Sequence, residues 1–185
     1  MLGVINYISS KTKDMDKTKF DPICIRLLQV EDISGEYIKW YSNKEVVRYS
    51  DNQYRFFSIE AQIDYVKTCL DNKDLDLYGI FFNSQHIGNI TISGLTSEHK
   101  RAEIAYVIGD SDYWGKGYAS YVVAEIIVKA KVHYNLFKLY AGIANENKQS
   151  EAVLRKNGFI LEGTRKNHLY YCGEWYDQLD FGLML

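Results

Sequence analysis

The run Tyr113-Trp114-Gly115-Lys116-Gly117-Tyr118-Ala119-Ser120 carries the residue types best suited to holding a ligand in this 185-residue chain. Glycines let a backbone approach a ligand closely, because no Cβ intervenes. The run also stands where a long apolar periodic segment begins, so it opens a helix. The first turn of a helix leaves about four N–H groups without intrahelical acceptors, and the macrodipole places partial positive charge there. Such an end cradles phosphate, but a plain glycine turn ahead of a helix fits the string equally well. Two known phosphate signatures fail on spacing: a dinucleotide fingerprint needs glycine where Ser120 stands, and GxxxxGK[ST] is absent. Cys24, Cys69 and Cys172 show no CxxC pair and no clear His partner, which argues against a disulfide framework, a cysteine zinc site and a cysteine acyl-enzyme. No metal site is expected.

The elements that must position this run are legible from periodicity. Arg101–Gly109 reads as a strand, and Gly115–Tyr134 is the strongest helix. Its stripe is Ala119, Val122, Val123, Ile126, Ile127, Ala130 and Tyr134, with Ser120, Glu125 and Lys129 outside it. Upstream, Ile23–Leu28 is strand-like, and Asp32 can cap a helix through Tyr37, Ile38, Trp40 and Tyr41. Ile59, Ile63, Val66 and Leu70 mark a second helix, and residues 75–82 and 86–92 form a hairpin about a polar turn. Downstream come a strand (138–144), a helix (147–156) stopping at Asn157-Gly158, a strand from Phe159, a turn at Cys172-Gly173 and a strand to Leu185. The order is one mixed α/β domain over residues 23–185, preceded by a polar, flexible lead-in over residues 1–22.

Composition narrows the partners. Lys+Arg at 22 against Asp+Glu at 24 gives a net charge of −2, without the basic excess of a nucleic-acid binder. Apolar runs fall far short of the roughly 20 residues that span a bilayer. With the odd, widely spaced cysteines, a cytoplasmic protein with neither nucleic-acid nor membrane partners is expected. Aromatic residues, at 15% with 16 tyrosines, are the outlier.

Trp114-Gly115-Lys116-Gly117-Tyr118-Ala119 resembles the acetyl-CoA pyrophosphate loop of the GCN5-related N-acetyltransferases (GNAT), written (Q/R)xxGx(G/A). Trp114 replaces the opening Gln or Arg, as in the RimJ/RimL-like branch. Three further pieces match in order: Ala102-Glu103-Ile104-Ala105-Tyr106; Asn147-Lys148-Gln149-Ser150 with Lys156-Asn157-Gly158-Phe159; and Glu162-Gly163-Thr164-Arg165. The resemblance covers roughly residues 23–185. It implies a single domain with a mixed, mostly antiparallel twisted sheet flanked by helices, and a V-shaped splay between two central parallel strands. It also implies acetyl-CoA as co-substrate. Val107, Ile108 and Gly109 would pair with the pantetheine amides; Trp114, Gly115, Lys116, Gly117, Tyr118, Ala119 and Ser120 would form the pyrophosphate loop; Asn147 would bond the pantetheine arm.

The implied reaction is direct attack of an amine on the thioester, with no covalent enzyme intermediate. An amine must be neutral to attack, and one with a lysine-like pKa of about 10.4 is almost wholly protonated at neutral pH. Glu103 is the implied base, with a surface or ion-paired glutamate as the plain alternative. The tyrosine that many relatives place four residues before the Gly-Phe pair is Leu154 here; Ser150 is the implied substitute, with a helix-face serine as its alternative. Trp40, Tyr49, His168 and Tyr170 fall where the resemblance puts the acceptor, although core packing suits Trp40 and a lone histidine such as His168 is more often a surface residue. The acceptor is a protein N-terminus or a small-molecule or nucleotide-sugar amine. A non-catalytic acyl-CoA-binding module is the rival reading, and the oligomeric state, monomer or homodimer, is open.

Overall fold

Among the described residues, seven strands form one sheet: β1 (Ile23–Leu27), β2 (Leu75–Phe82), β3 (Gln85–Ser93), β4 (Arg101–Ile108), β5 (Lys138–Ala144), β6 (Ile160–Tyr171) and β7 (Glu174–Met184). The computed structural model describes residues 22–185, so the expected lead-in lies, except for Pro22, outside the described residues. Strand order is β1-β2-β3-β4-β5-β7-β6, and every neighbouring pair is antiparallel except β4 with β5. The β2–β3 hairpin turns on Asn83 (φ 47°) and Ser84 (φ 69°). Two consecutive left-handed residues give the turn whose twist matches paired strands.

Among the described residues, five helices flank the sheet: α1 (Gly35–Ser42), the single-turn α2 (Lys44–Val47), α3 (Ile59–Asp71), α4 (Tyr118–Val132) and α5 (Lys148–Lys156). On one face, α4 and α5 bury Val122, Val123, Ile126, Ala130 and Leu154 against Ile80, Ile90, Ile92, Ile104, Leu139 and Phe181. These residues are almost wholly removed from water, each contributing about 1.5–3 kcal/mol for the larger side chains. On the other face, α1 and α3 set Tyr37, Trp40, Val66 and Cys69 against Leu77 and Phe81 of β2. Farther along that face, strand alternation lines up Glu103, Tyr140, Gln178 and Asp180, a polar surface rather than a second core. No helix among the described residues is long and apolar enough to cross a membrane.

Three local expectations are corrected. Asp32 does not cap α1: it sits in a 3-10 turn, where both its oxygens bond the Arg26 guanidinium at 2.6 Å. A bidentate charged partner outcompetes a cap, and Ser34 caps instead, accepting from Tyr37 N–H at 3.3 Å. The long helix starts at Tyr118, not Gly115, because Gly115 (φ 70°) and Gly117 (φ 88°) are left-handed. Ser120, expected outside the apolar stripe, is buried; the Asn157 side-chain amide donates to its carbonyl (3.1 Å) and to its hydroxyl (3.4 Å).

Candidate active site

The sheet divides at its centre. Strands β4 and β5 pair only at Arg101–Lys138, Ala102–Leu139 and Glu103–Tyr140. Beyond Glu103, β4 stays with β3 as far as Ile108–Gly88, while β5 stays with β7 as far as Ala144–Gln178. Each strand follows its outer neighbour, and sheet twist separates the two halves into a V. The facing backbone edges of Ile104–Ile108 and Ala141–Ala144 no longer bond each other, so they can pair with an extended amide-bearing ligand.

The glycine run closes onto the open end of this V. Asp110 caps the 3-10 turn Ser111–Tyr113 through Asp112 N–H (3.0 Å) and accepts from the Gln85 amide (3.2 Å). Trp114 then donates its indole N–H to the Ile108 carbonyl at 2.7 Å, tying the loop to the end of β4. This use of Trp114 is structural, which explains how the loop dispenses with Gln or Arg there. At Gly115 an added Cβ would meet nothing within 4 Å, so the loop faces outward. Gly117 is the N-cap of α4, and the first α-helical bond is Tyr121 N–H to Gly117 O at 3.1 Å. The first turn of α4 contains no acidic residue, leaving the positive helix end uncompensated. Lys116 is exposed, with Nζ 5.3 Å from the Tyr113 ring centroid; Tyr118 packs against Phe82 and Tyr113; Ala119 is half-buried. Backbone amides beside a positive helix end suit a pyrophosphate.

Across the V, Asn147 caps α5 by accepting from Ser150 N–H at 3.1 Å, leaving its side-chain NH₂ for another partner. Ser150 is half-buried, and its carbonyl accepts from the Tyr106 hydroxyl at 3.3 Å, a link between β4 and α5. Burial pushes the Tyr106 hydroxyl up to about 12, so it stays protonated at neutral pH. Leu154 is fully buried in the α4–α5 core.

Glu103 is the last β4 residue paired with β5, at the floor of the V on the polar face. Glu103 is exposed, yet partial desolvation of its carboxyl raises it from its ordinary value; Arg165 opposes this and Asp180 adds to it. Arg165 and Asp180 are themselves paired at 2.8 Å. A raised carboxylate at the base of a cleft is suited to accepting a proton.

The other expected acceptor residues separate. Gly109 and Trp40 pack so closely that a Cβ on Gly109 would fall 2.0 Å from the indole. Trp40 also meets the His86 ring at 4.9 Å and is only 7% exposed, the position of a packing residue. Tyr49 stands edge-on to Tyr176 at 5.7 Å, and exposed Tyr170 packs against Trp175 at 5.0 Å. His168 is exposed, in the stretch where β6 loses register with β7, and its side chain makes no hydrogen bond among the described residues. Sequence reasoning gave Tyr106 only a backbone role, at the oxyanion with Val107, and gave none to Arg165, though both stand inside the quoted motifs, and none to Asp180. Among the described residues no group of three or more His, Cys, Asp or Glu side chains is placed to hold a metal.

Residues 23–160 match the model of the acetyltransferase (GNAT) domain. The chain belongs to the GNAT family. Members are acetyl-CoA-dependent acyltransferases. This GNAT chain is 31% identical over 157 residues to the uncharacterized N-acetyltransferase YoaA of Bacillus subtilis (strain 168), covering 82% of this chain and 88% of that protein. Its fold is shared with the Vibrio cholerae spermidine N-acetyltransferase solved with CoA and spermine (TM-score 0.78, 17% identity, 88% of this chain and 95% of that one). It is equally shared with RimL, a ribosomal L7/L12 alpha-N-protein acetyltransferase solved with CoA (TM-score 0.78, 20% identity, 89% and 95%).

Proposed function

We propose that residues 23–185 form one cytoplasmic N-acetyltransferase unit that moves the acetyl group of acetyl-CoA directly to a primary amine. The observation that carries this is the coincidence of three features at one place: a strand splay, a glycine-headed helix at its open end, and a glutamate at its floor. Acetyl-CoA supplies an activated acetyl thioester. Backbone amides of residues 115–120 hold its pyrophosphate, and the edge of Val107, Ile108 and Gly109 with the Asn147 amide orients the pantetheine arm. Gly109 N–H is bonded to Ile87 O at 2.9 Å, and strand alternation turns the Val107 groups toward β3 as well; with the Ile108 carbonyl engaged by Trp114, the Ile108 N–H and the Asn147 amide carry most of that pairing.

Glu103 takes the amine's proton, directly or through water. The thiol released has a pKa near 8.5, so CoA leaves readily as thiolate and is protonated afterwards. Ser150 on α5 is assigned to protonating it, its backbone held by the Asn147 cap and the Tyr106 bond. Spermidine and ribosomal protein, named for the two solved relatives, are both amine acceptors; Tyr49, packed on Tyr176 of the polar face, is the aromatic residue we assign to the acceptor, whereas Tyr170 pairs with Trp175 on the opposite face.

Glu103→Gln tests the reading. Thiol release is expected to fall about 10²–10⁴-fold, with acetyl-CoA affinity by calorimetry unchanged. Wild-type rates in the variant would remove Glu103 as the base.

A further inference from the structure

On the polar face, strand register sets Glu103 beside Tyr140 and Tyr140 beside Gly182. Two residues farther along β7, Asp180 lies between Gly142 of β5 and Gly163 of β6. Glycine at these places lets long polar side chains lie flat across the strands. A Cβ on Gly182 would fall 2.3 Å from the Glu162 carboxyl carbon, and one on Gly142 would fall 2.7 Å from the Gln178 amide nitrogen. The result is a polar floor beside Glu103, reaching two strand spacings, or about 10 Å, to β7. Its accepting atoms are filled. Lys138 Nζ donates to both oxygens of Glu162, at 2.7 and 2.6 Å. Asp180 Oδ1 accepts from Gln178 Nε2 at 2.7 Å, and its Oδ2 from Arg165 Nε at 2.8 Å. Its donors are open: the Arg165 side chain is 55% exposed, and its two Nη groups bond nothing among the described residues. Glu103 has no hydrogen-bond partner among the described residues either. Next to the proton acceptor, the floor therefore holds a guanidinium edge with free N–H groups and no carboxylate with a free oxygen.

We infer that the acceptor carries a carboxylate a few bonds from its reacting amine, that Arg165 selects it, and that polyamines are poor acceptors. The inference rests on the N-acetyltransferase reading above. An amine held at Glu103 extends its other end over β5 and β7. A second ammonium there finds Glu162 and Asp180 already bonded on both oxygens, and it meets the Arg165 guanidinium. A carboxylate in the same place finds open N–H groups in the planar fork that matches it. One side chain thus attracts the first kind of acceptor and repels the second, and selectivity comes from both effects. Arg165 and Asp180 each act electrostatically on Glu103, in opposite senses, so the pair stands within reach of a molecule bound there. Asp180 also holds Arg165 Nε, which leaves the Nη edge of the fork directed away from that bond.

Matched acceptors test it. 4-Aminobutanoate, n-pentylamine and 1,4-diaminobutane share a primary amine and differ in the charge of the far end. C-terminally amidated Ala-Asp and Ala-Asn peptides make the same comparison at a peptide N-terminus, so the two arms separate a free amino acid from a protein as the source of the carboxylate. In at least one arm the acidic acceptor is expected to exceed its neutral counterpart about tenfold in kcat/KM, the size of a charge-assisted hydrogen bond at an exposed site. Arg165→Met is expected to bring that ratio to about one. It also frees Asp180 Oδ2, so 1,4-diaminobutane should gain about tenfold on n-pentylamine, and Arg165→Lys should keep the wild-type order. Ratios between acceptors cancel any change in Glu103, which all of them share. Wild-type ratios near one or below in both arms, or a ratio that Arg165→Met leaves unchanged, overturn the inference while the enzyme reading stands. If acetyl-CoA binds and no amine is acetylated by any form, the enzyme reading falls and takes the inference with it.

Discussion

Glu103 must be ionised to accept a proton, and its surroundings hold its carboxyl above the ordinary value of 4.5. The rate should therefore rise with pH through a limb set by a carboxyl raised from its ordinary value. Because Asp180 raises Glu103, Asp180→Asn should move that limb to lower pH in a kcat/KM profile; a shift upward would contradict the assignment. Gly117 is the second such residue. Valine there meets the left-handed penalty of about 1–2 kcal/mol and puts a branched side chain at the helix entrance. Acetyl-CoA binding should be lost by calorimetry while circular dichroism still reports a folded chain. His86 is a residue whose effect is on stability. Its Nε2–H donates to Gly88 O and Asn89 Oδ1, and burial lowers its pKa below 6.5. The unfolded chain thus binds a proton more readily, so His86 contributes fully above about pH 6.5 and the contribution is lost as pH falls through its native value. Urea midpoints at about pH 7.5 and 5.5 should differ less in His86→Gln than in wild type. The glycine run and Glu103 were legible in the sequence because their chemistry is local or lies within a motif. The Arg165–Asp180 pair was not, because it exists only through the register of β6 against β7.

At the scale of elements, α4 presents the glycine end and α5 presents Asn147 and Ser150, so their junction sets the geometry between pyrophosphate and thioester. Asn157 makes that junction, with its amide on Ser120 O, Ser120 Oγ and Val153 O. Asn157→Ala should cost about 1–3 kcal/mol in urea unfolding and weaken acetyl-CoA binding; unchanged affinity would show that the first turn of α4 does not depend on α5. Periodicity located α4 and its buried stripe well, because 3.6-residue spacing is read directly from side chains. It misassigned Ser120, whose burial depends on Asn157 arriving from another helix, and it misplaced the cap of α1, where Arg26 from β1 claims Asp32. Both errors come from partners distant in sequence or on another element, which local patterns do not encode.

The whole molecule is a sheet with unlike faces. One is sealed by α4 and α5; the other is covered by α1 and α3 only over its β1–β3 side and turns polar toward β7. A V cut through such a sheet lets two co-substrates approach from opposite faces and meet at its floor. The tyrosine excess follows this plan in part: Tyr49, Tyr54, Tyr171 and Tyr176 pack together at the β6–β7 tip, whereas Tyr78 and Tyr134 bond Asp76 at the far side, between β2 and the end of α4. Near-zero net charge fits an enzyme that recognises its acceptor by local groups rather than by long-range steering. The most direct test is thiol release from acetyl-CoA across a panel of primary amines. The expected result is release that requires an amine, gives an N-acetylated product and collapses in Glu103→Gln. Tight acetyl-CoA binding with no amine-dependent thiol release would contradict it and leave a binding module of the same fold.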